Sequence, residues 1–230
     1  MKISAIIPAR GGSKGIPGKN LINFCGKPLM YWSIKQALLA EHVDSVWVSS
    51  DCEEILEVAL SSGAQVIKRP GEISGDTASS EAAWLHAVDY IESVQGSQDY
   101  CVGMQATSPL RECKDIDLAI RSMQSNSLDS LLSVCVIEDF FIWEKQDDSR
   151  LMPINYDLND RKRRQLIKTR YLENGSFYIF KPKILREKNN RLGGLIGIQI
   201  MERFKMFQID NMEDIELCEA IMKAYNLDIV

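Results

Sequence analysis

The chain has 230 residues, of which 45% are hydrophobic and 26% charged; this supports one α/β-sized domain with an appendage and excludes a disordered chain. Its 27 Lys and Arg against 32 Asp and Glu leave a net charge of −5. That excludes the broad positive field of a nucleic-acid coat or a membrane-surface binder, but not a local basic pocket. The six cysteines are scattered with no C-x-x-C pair, and His42 and His86 are the only histidines, so zinc ribbons, His-rich metal sites and Ser-His-Asp hydrolysis are disfavoured.

In chain order, Ile3–Pro8 reads as a buried strand, too short for a signal-peptide core, and a Gly-rich loop follows from Ala9 to Lys19. Leu29–Ala40 carries Met30, Ile34, Ala37 and Leu38 at helical spacing. Val46–Ser49 is a second strand, with Asp51 placed to cap a helix over Glu53–Leu60. Ala64–Ile67 is a third strand, and Ser79-Ser80-Glu81 opens a helix through Trp84, Leu85, Val88 and Ile91. Tyr100–Met104 is strand-like, Asp115–Met123 helical and Leu131–Val136 strand-like. This alternation predicts an α/β fold: a Rossmann-like, mostly parallel sheet with helices on both faces. Loops 9–19, 49–51 and 105–111 then converge on one site at the carboxyl ends of the strands.

From Phe140 the rhythm breaks. Phe140–Glu144 is strand-like, Asp147–Arg170 is polar, Tyr171–Phe180 and Lys205–Ile209 return to strands, and Met212–Tyr225 is a final helix. A polar excursion of this length points to an arm inserted at 140–175 into a single 1–230 domain. No run approaches the ~18 apolar residues of a membrane span. The expectation is a cytoplasmic protein with reduced cysteines and neither nucleic-acid nor membrane partners.

Ala9-Arg-Gly-Gly-Ser-Lys-Gly-Ile-Pro-Gly-Lys-Asn20 places Arg10, Lys14 and Lys19 among closely spaced glycines at a strand end. Glycines allow backbone N–H groups to approach anionic oxygens, and the cations need an anion to meet, so the loop reads as a triphosphate cradle. It is not a Walker A loop, because Ser13 and Asn20 stand where Gly and Ser/Thr are required, and no G-x-G-x-x-G is present.

This loop resembles the N-terminal signature of the acylneuraminate cytidylyltransferases, the CMP-sialic acid synthetases. The resemblance continues in order through Arg69-Pro70, Asp76-Thr-Ala-Ser-Ser80, Gln105-Ala-Thr-Ser-Pro-Leu-Arg111, Glu173-Asn-Gly-Ser-Phe-Tyr-Ile179, and Ile209-Asp210 with Asp214. It implies a nucleotide-diphospho-sugar transferase type of fold. The implied reaction joins CTP to the anomeric hydroxyl of a nine-carbon (nonulosonic) keto-sugar acid, giving CMP-sugar and pyrophosphate. The implied CTP residues are Arg10, Gly11, Gly12, Ser13, Lys14, Lys19 and Asn20 for the triphosphate, with Arg69 and Ser80 at the cytosine edge. Ser80 could equally be a helix cap, and Arg69 a member of a surface ion pair. Lys19, Arg10 and Asp210 would be catalytic, with Lys19 nearest the α-phosphate.

Gln105, Arg164 and Tyr178 would meet the sugar acid. Arg164 sits in the basic run Arg161-Lys-Arg-Arg164 and would reach a neighbouring subunit of a homodimer across the arm. The family's Mg²⁺ falls to Asp210. The aspartate usual two residues earlier is Gln208 here, and Ala106 replaces a usual proline. Asp214 reads as a first-turn helix residue and His86 as a packing or hydrogen-bonding group. A CMP-octulosonate synthetase, or a nucleotide-binding relative without turnover, remains an alternative.

Overall fold

Alternation along the first strand sets the layers. In β1 (Ile3–Pro8), Ala5 and Ile7 belong to one hydrophobic cluster and Ile6 to another, and all three are fully buried. A strand buried on both faces needs helices on both sides of its sheet. The computed structural model describes residues 1–75, 78–138 and 140–229, with Arg164 described by its backbone alone.

A short hairpin, β2 (Asn23–Phe24) with β3 (Lys27–Pro28), leads from the Gly-rich loop into α1 (Leu29–Leu38). Next come β4 (Ser45–Ser50), α2 (Glu53–Ser61), β5 (Gln65–Lys68), α3 (Ser80–Gln95), β6 (Tyr100–Met104), α4 (Cys113–Ser125) and β7 (Ser130–Ile137). The arm holds β8 (Trp143–Lys145) and β9 (Leu151–Pro153). The chain then returns through β10 (Arg170–Phe180), α5 (Pro182–Lys188), β11 (Ile196–Met201) and α6 (Met212–Ala224).

Seven strands form one sheet in the order β11-β7-β10-β6-β1-β4-β5. All neighbours are parallel except β10, which runs antiparallel to both β6 and β7. Met30 and Ile34 of α1, Ile55 and Ala59 of α2, and Ile116 and Ile120 of α4 cover the face of Ala5 and Ile7. Trp84, Val88 and Ile91 of α3, with Leu185 of α5, cover the face of Ile6. A third cluster joins Ile16 and Phe24 to Leu29 and Trp32 of α1 and to Ile209, Cys218 and Met222, so α6 braces the Gly-rich loop from outside.

Three expectations change. The strand expected at Lys205–Ile209 is a 3-10 turn over Arg203–Met206, because Lys205 is drawn inward to three carboxylates at 2.7–2.8 Å, from Glu112, Asp115 and Glu202. The strand lies earlier, at β11, parallel to β7. Helix α2 starts after Cys52 with no side-chain cap, since Asp51 is engaged elsewhere. Within the arm, Phe141 and Trp143 both meet Tyr156, at 4.6 and 5.9 Å, and Arg161 lies 4.5 Å over Phe141. Phe140, Ile142, Trp143, Leu151 and Met152 are exposed, and residues 170–175 belong to β10 of the main sheet rather than to the arm.

The acidic cluster Glu112, Asp115 and Glu202 has the spacing of a metal site, but the Lys205 ammonium fills it. All six cysteines are free, and no helix among the described residues is long and apolar enough to cross a membrane.

Candidate active site

A cavity of about 570 Å³ opens at the carboxyl ends of β1, β5 and β6. Arg10, Ser13, Lys14, Lys19, Asn20, Arg69, Ser80, Gln105 and Asp210 all line it. Gly11, Gly12 and Tyr178 are not among its lining residues. Asp76, Thr77 and the Arg164 side chain lie outside what the structure describes; the Arg164 backbone is in a 3-10 turn of the arm.

The Gly-rich loop is held from three directions. The Asn20 amide donates to the Arg10 carbonyl at 3.0 Å. Asp51, at the end of β4, accepts from the Gly11 N–H at 3.1 Å, which is why it does not cap α2. Gly15 lies so close to residue 210 that a Cβ would come within 2.6 Å of the Asp210 carbonyl oxygen, a contact only glycine allows. Lys19 closes the bracket: its Nζ donates to the Ile209 carbonyl at 2.9 Å and to Asp210 Oδ1 at 3.0 Å. The Ile209 N–H in turn donates to the Thr107 carbonyl at 2.8 Å, tying the segment before α6 to the loop after β6.

The charge balance favours an anion. Arg10, Lys14, Lys19 and Arg69 face the cavity against one described carboxylate, Asp210. Burial, then the neighbouring Arg10 charge, holds the Arg69 guanidinium below its ordinary range, with Asp51 at 3.8 Å pulling the other way. Arg69 is 5% exposed, and its Nε donates to Ser74 Oγ at 3.0 Å, so it is a built-in part of the wall and not a surface ion pair. Ser79, not Ser80, caps α3 by accepting from the Ala82 N–H at 3.1 Å. Ser80 keeps its hydroxyl at the cavity.

Gln105 follows β6, and its carbonyl accepts from the Arg111 guanidinium. Arg111 is 1% exposed and also donates to the carbonyls of Ser176 (2.5 Å) and Ser108 (2.8 Å), to Ser33 Oγ (2.9 Å) and to Gln36 Oε1 (3.1 Å). With no carboxylate in direct contact, burial pushes it down to about 9. This cation serves to fix the Gln105 loop. Sequence reasoning noted the residue within a motif but gave it no role, since its partners lie on α1, β10 and its own loop.

Tyr178 is 2% exposed and donates to Glu173 at 2.5 Å. Burial and that bond push its hydroxyl up to about 12. It stands behind the cavity, packed on Trp84, and does not open into it. Gln208 also is not among the cavity's lining residues: its amide donates to the Asn174 carbonyl at 2.6 Å beside Gly175, where φ is +60 and a Cβ would come within 2.6 Å of Gln208 Nε2. Asp214 accepts from the N–H groups of Asp210 and Asn211, completing a capping box that presents Asp210 to solvent. The His86 Nδ1 is buried with no partner among the described residues, which fits the packing reading of this residue.

Comparison with known proteins bears on this site. Residues 4–228 match the family model described as cytidylyltransferase. N-acylneuraminate cytidylyltransferase A of Danio rerio is 40% identical over 188 residues, 80% of this chain but 43% of that protein, so the chain spans under half of that relative's length. Pseudaminic acid cytidylyltransferase of Campylobacter jejuni is 33% identical over 230 residues, 97% of both chains. Among solved structures, a CMP:2-keto-3-deoxy-manno-octonic acid synthetase complexed with CTP superposes with a TM-score of 0.73 over 98% of this chain and 100% of that one; at 17% identity this likeness speaks for the fold alone. With nearly its whole length inside that family model and a cation-lined cavity at the carboxyl ends of its strands, the chain belongs to the cytidylyltransferase family.

Proposed function

We propose that the protein transfers CMP from CTP to the anomeric hydroxyl of a nonulosonic acid and releases pyrophosphate, working as a Mg²⁺-dependent cytoplasmic homodimer. The observation that carries this reading is one cavity that gathers Arg10, Lys14 and Arg69, the Lys19–Asp210 pair and Gln105. Relatives named for N-acylneuraminate and pseudaminic acid support the nine-carbon class of acceptor.

The reaction places negative charge on the α-phosphoryl oxygens and on the departing pyrophosphate. Arg10 and Lys14, with the N–H groups of the glycine loop, suit the β- and γ-phosphates. Lys19 is held on a backbone carbonyl and on Asp210, so its ammonium needs little reorganisation as charge develops. Arg69 and Ser80 supply the donors and acceptor that a cytosine edge requires. Gln105, fixed from behind by Arg111, offers an amide to the acceptor sugar.

Mg²⁺ fits this donor set. Mg²⁺ is commonly bound by one or two carboxylates plus substrate phosphates, and the Asp210 side chain is 71% exposed at the cavity with Lys19 on one oxygen. Gln208 is engaged with Asn174 and leaves the protein's share of the site to Asp210. Bound there, the ion would neutralise phosphate charge and hold the triphosphate in line.

Homodimer formation is supported by apolar surface that lacks cover. Ile196, Ile198 and Ile200 alternate outward along β11, the edge strand of the sheet, each 38–49% exposed, and the arm adds Leu151 and Met152. A second copy is the economical cover for such a face, and the arm is the means of reaching it. Six free cysteines agree with a reducing compartment. Pyrophosphate release from CTP with a panel of sugar acids tests the reading: turnover with a nine-carbon acid is expected, and its absence overturns it.

A further inference from the structure

Helix α6 begins with a capping box that carries one hydrogen bond more than the cap requires. Asn211 Oδ1 accepts from the Asp214 N–H at 3.0 Å, and Asp214 Oδ2 accepts from the Asn211 N–H at 2.9 Å; these two bonds complete the box. The same carboxylate oxygen also accepts from the Asp210 N–H at 2.8 Å, one residue ahead of the cap. That third bond satisfies none of the orphan N–H groups of the helix. Its effect falls on the peptide that joins Ile209 to Asp210.

A trans peptide is planar, and its N–H and C=O point in opposite directions. The N–H of this one is held by the Asp214 carboxylate, and its C=O is the Ile209 carbonyl that accepts from Lys19 Nζ at 2.9 Å. An anion thus sits at the positive end of one peptide dipole and a cation at the negative end, so both bonds are charge-assisted. The preceding peptide is fixed as well. The Ile209 N–H donates to the Thr107 carbonyl at 2.8 Å, and the Ile209 side chain is fully buried in the cluster of Ile16 and Phe24. Rotation of the 209–210 peptide plane is what Asp214 opposes. Turning that plane would swing the carbonyl away from Lys19 and leave the ammonium on the Asp210 side chain, which is mostly exposed.

We propose that Asp214 is a positioning residue for the transfer step: it orients the Ile209 carbonyl and, through it, the Lys19 ammonium. This rests on the reading that Lys19 stabilises the transition state. Asp214 is not among the residues lining the cavity, so it acts at one remove from the substrate.

The test separates positioning from capping. Asp214→Ala, Asp214→Asn and Asn211→Ala are compared in pyrophosphate release at saturating CTP and the nonulosonic acid used fastest, with calorimetric CTP binding and melting temperature. Asp214→Ala should lower kcat about tenfold with CTP affinity nearly unchanged, because a misaimed group loses rate before it loses binding. Asp214→Asn keeps an oxygen that can accept from both N–H groups, and should stay within about threefold of normal. Asn211→Ala breaks the other half of the box: it should lower the melting temperature by roughly 2–4 °C, as Asp214→Ala does, and leave kcat within about twofold of normal. On a Lys19→Ala background, Asp214→Ala should slow release by less than about twofold further, since the group it positions is gone. Normal kcat in Asp214→Ala, a loss in Asp214→Asn as large as alanine's, an equal kcat loss in Asn211→Ala, or losses that multiply on the Lys19→Ala background each overturn the inference. Failure of the underlying reading is distinguishable: Lys19→Ala then keeps near-normal kcat, or the unsubstituted protein turns over none of the acids, and the inference falls with it.

Discussion

Replacing Lys19 with alanine separates catalysis from binding. The ammonium lies 3.0 Å from Asp210 and 2.9 Å from the Ile209 carbonyl, with the side chain 14% exposed at the cavity. A unit charge about 4 Å from a phosphoryl oxygen interacts by roughly 4 kcal/mol at an effective dielectric of about 20. Only the share that grows between ground and transition state counts toward rate, and single preorganised electrostatic groups typically contribute enough to change kcat by on the order of 10²–10³-fold. Lys19→Ala should therefore slow pyrophosphate release by on the order of 10²-fold while CTP affinity falls much less. The stability change should be small, because Asp210 is mostly exposed and such pairs contribute at most about 1 kcal/mol. For a chain of this size that is a melting shift of about 2–4 °C. Single-turnover release at saturating CTP, with calorimetric CTP binding, measures both. A variant with near-normal kcat and a raised KM alone would show that Lys19 only binds substrate, and the catalytic assignment would be wrong.

CTP should be preferred over UTP by on the order of 10²-fold in kcat/KM, because uracil reverses the donor–acceptor sense at the edge met by Arg69 and Ser80; comparable use of UTP removes that assignment. Lys205→Met should destabilise the fold by about 3 kcal/mol in denaturant titration, since it leaves Asp115 buried with no cation beside it. Burial works to lower the Lys205 ammonium, but Asp115, Glu112 and Glu202 outweigh it and raise it above the ordinary lysine range. Its stabilisation is therefore complete below about pH 10.4 and lost as pH rises through the higher folded value, so the melting temperature should fall more steeply above that pH in the unsubstituted protein than in Lys205→Met. Sedimentation should show a dimer, and Arg164→Ala should raise KM for the sugar acid with CTP affinity unchanged; a fully active monomer at nanomolar concentration contradicts the shared-site arm.

The early strands and helices were legible because each is a local pattern. Ile3–Pro8 is apolar on both faces, and α1 to α4 carry apolar residues at helical spacing, so little beyond the sequence is needed to place them. The cavity residues were legible because the cations and glycines of 9–20 sit together in one loop. What escaped depends on partners distant in sequence. Lys205 reads as an outward residue of a strand, and two of the three carboxylates that draw it inward, Glu112 and Asp115, lie some ninety residues earlier. Asp51 stands at a helix start, yet its carboxylate goes to the Gly11 N–H and toward Arg69. Strand β11 did carry a local signal, the period-2 run Ile196, Ile198 and Ile200, but its outward isoleucines and flanking glycines disguise it as loop. Arg111 takes its role from Ser33 and Gln36 of α1 and Ser176 of β10, which come beside its loop only in the folded protein.

The most direct measurement is pyrophosphate release from CTP with neuraminic, legionaminic, pseudaminic and octulosonic acids, each with and without Mg²⁺. The account predicts release that requires both CTP and a nine-carbon acid, is lost without the ion, and is faster with that acid than with the octulosonate. Rapid turnover of the octulosonate with none of the nine-carbon acids, or no turnover with any acid, would contradict it.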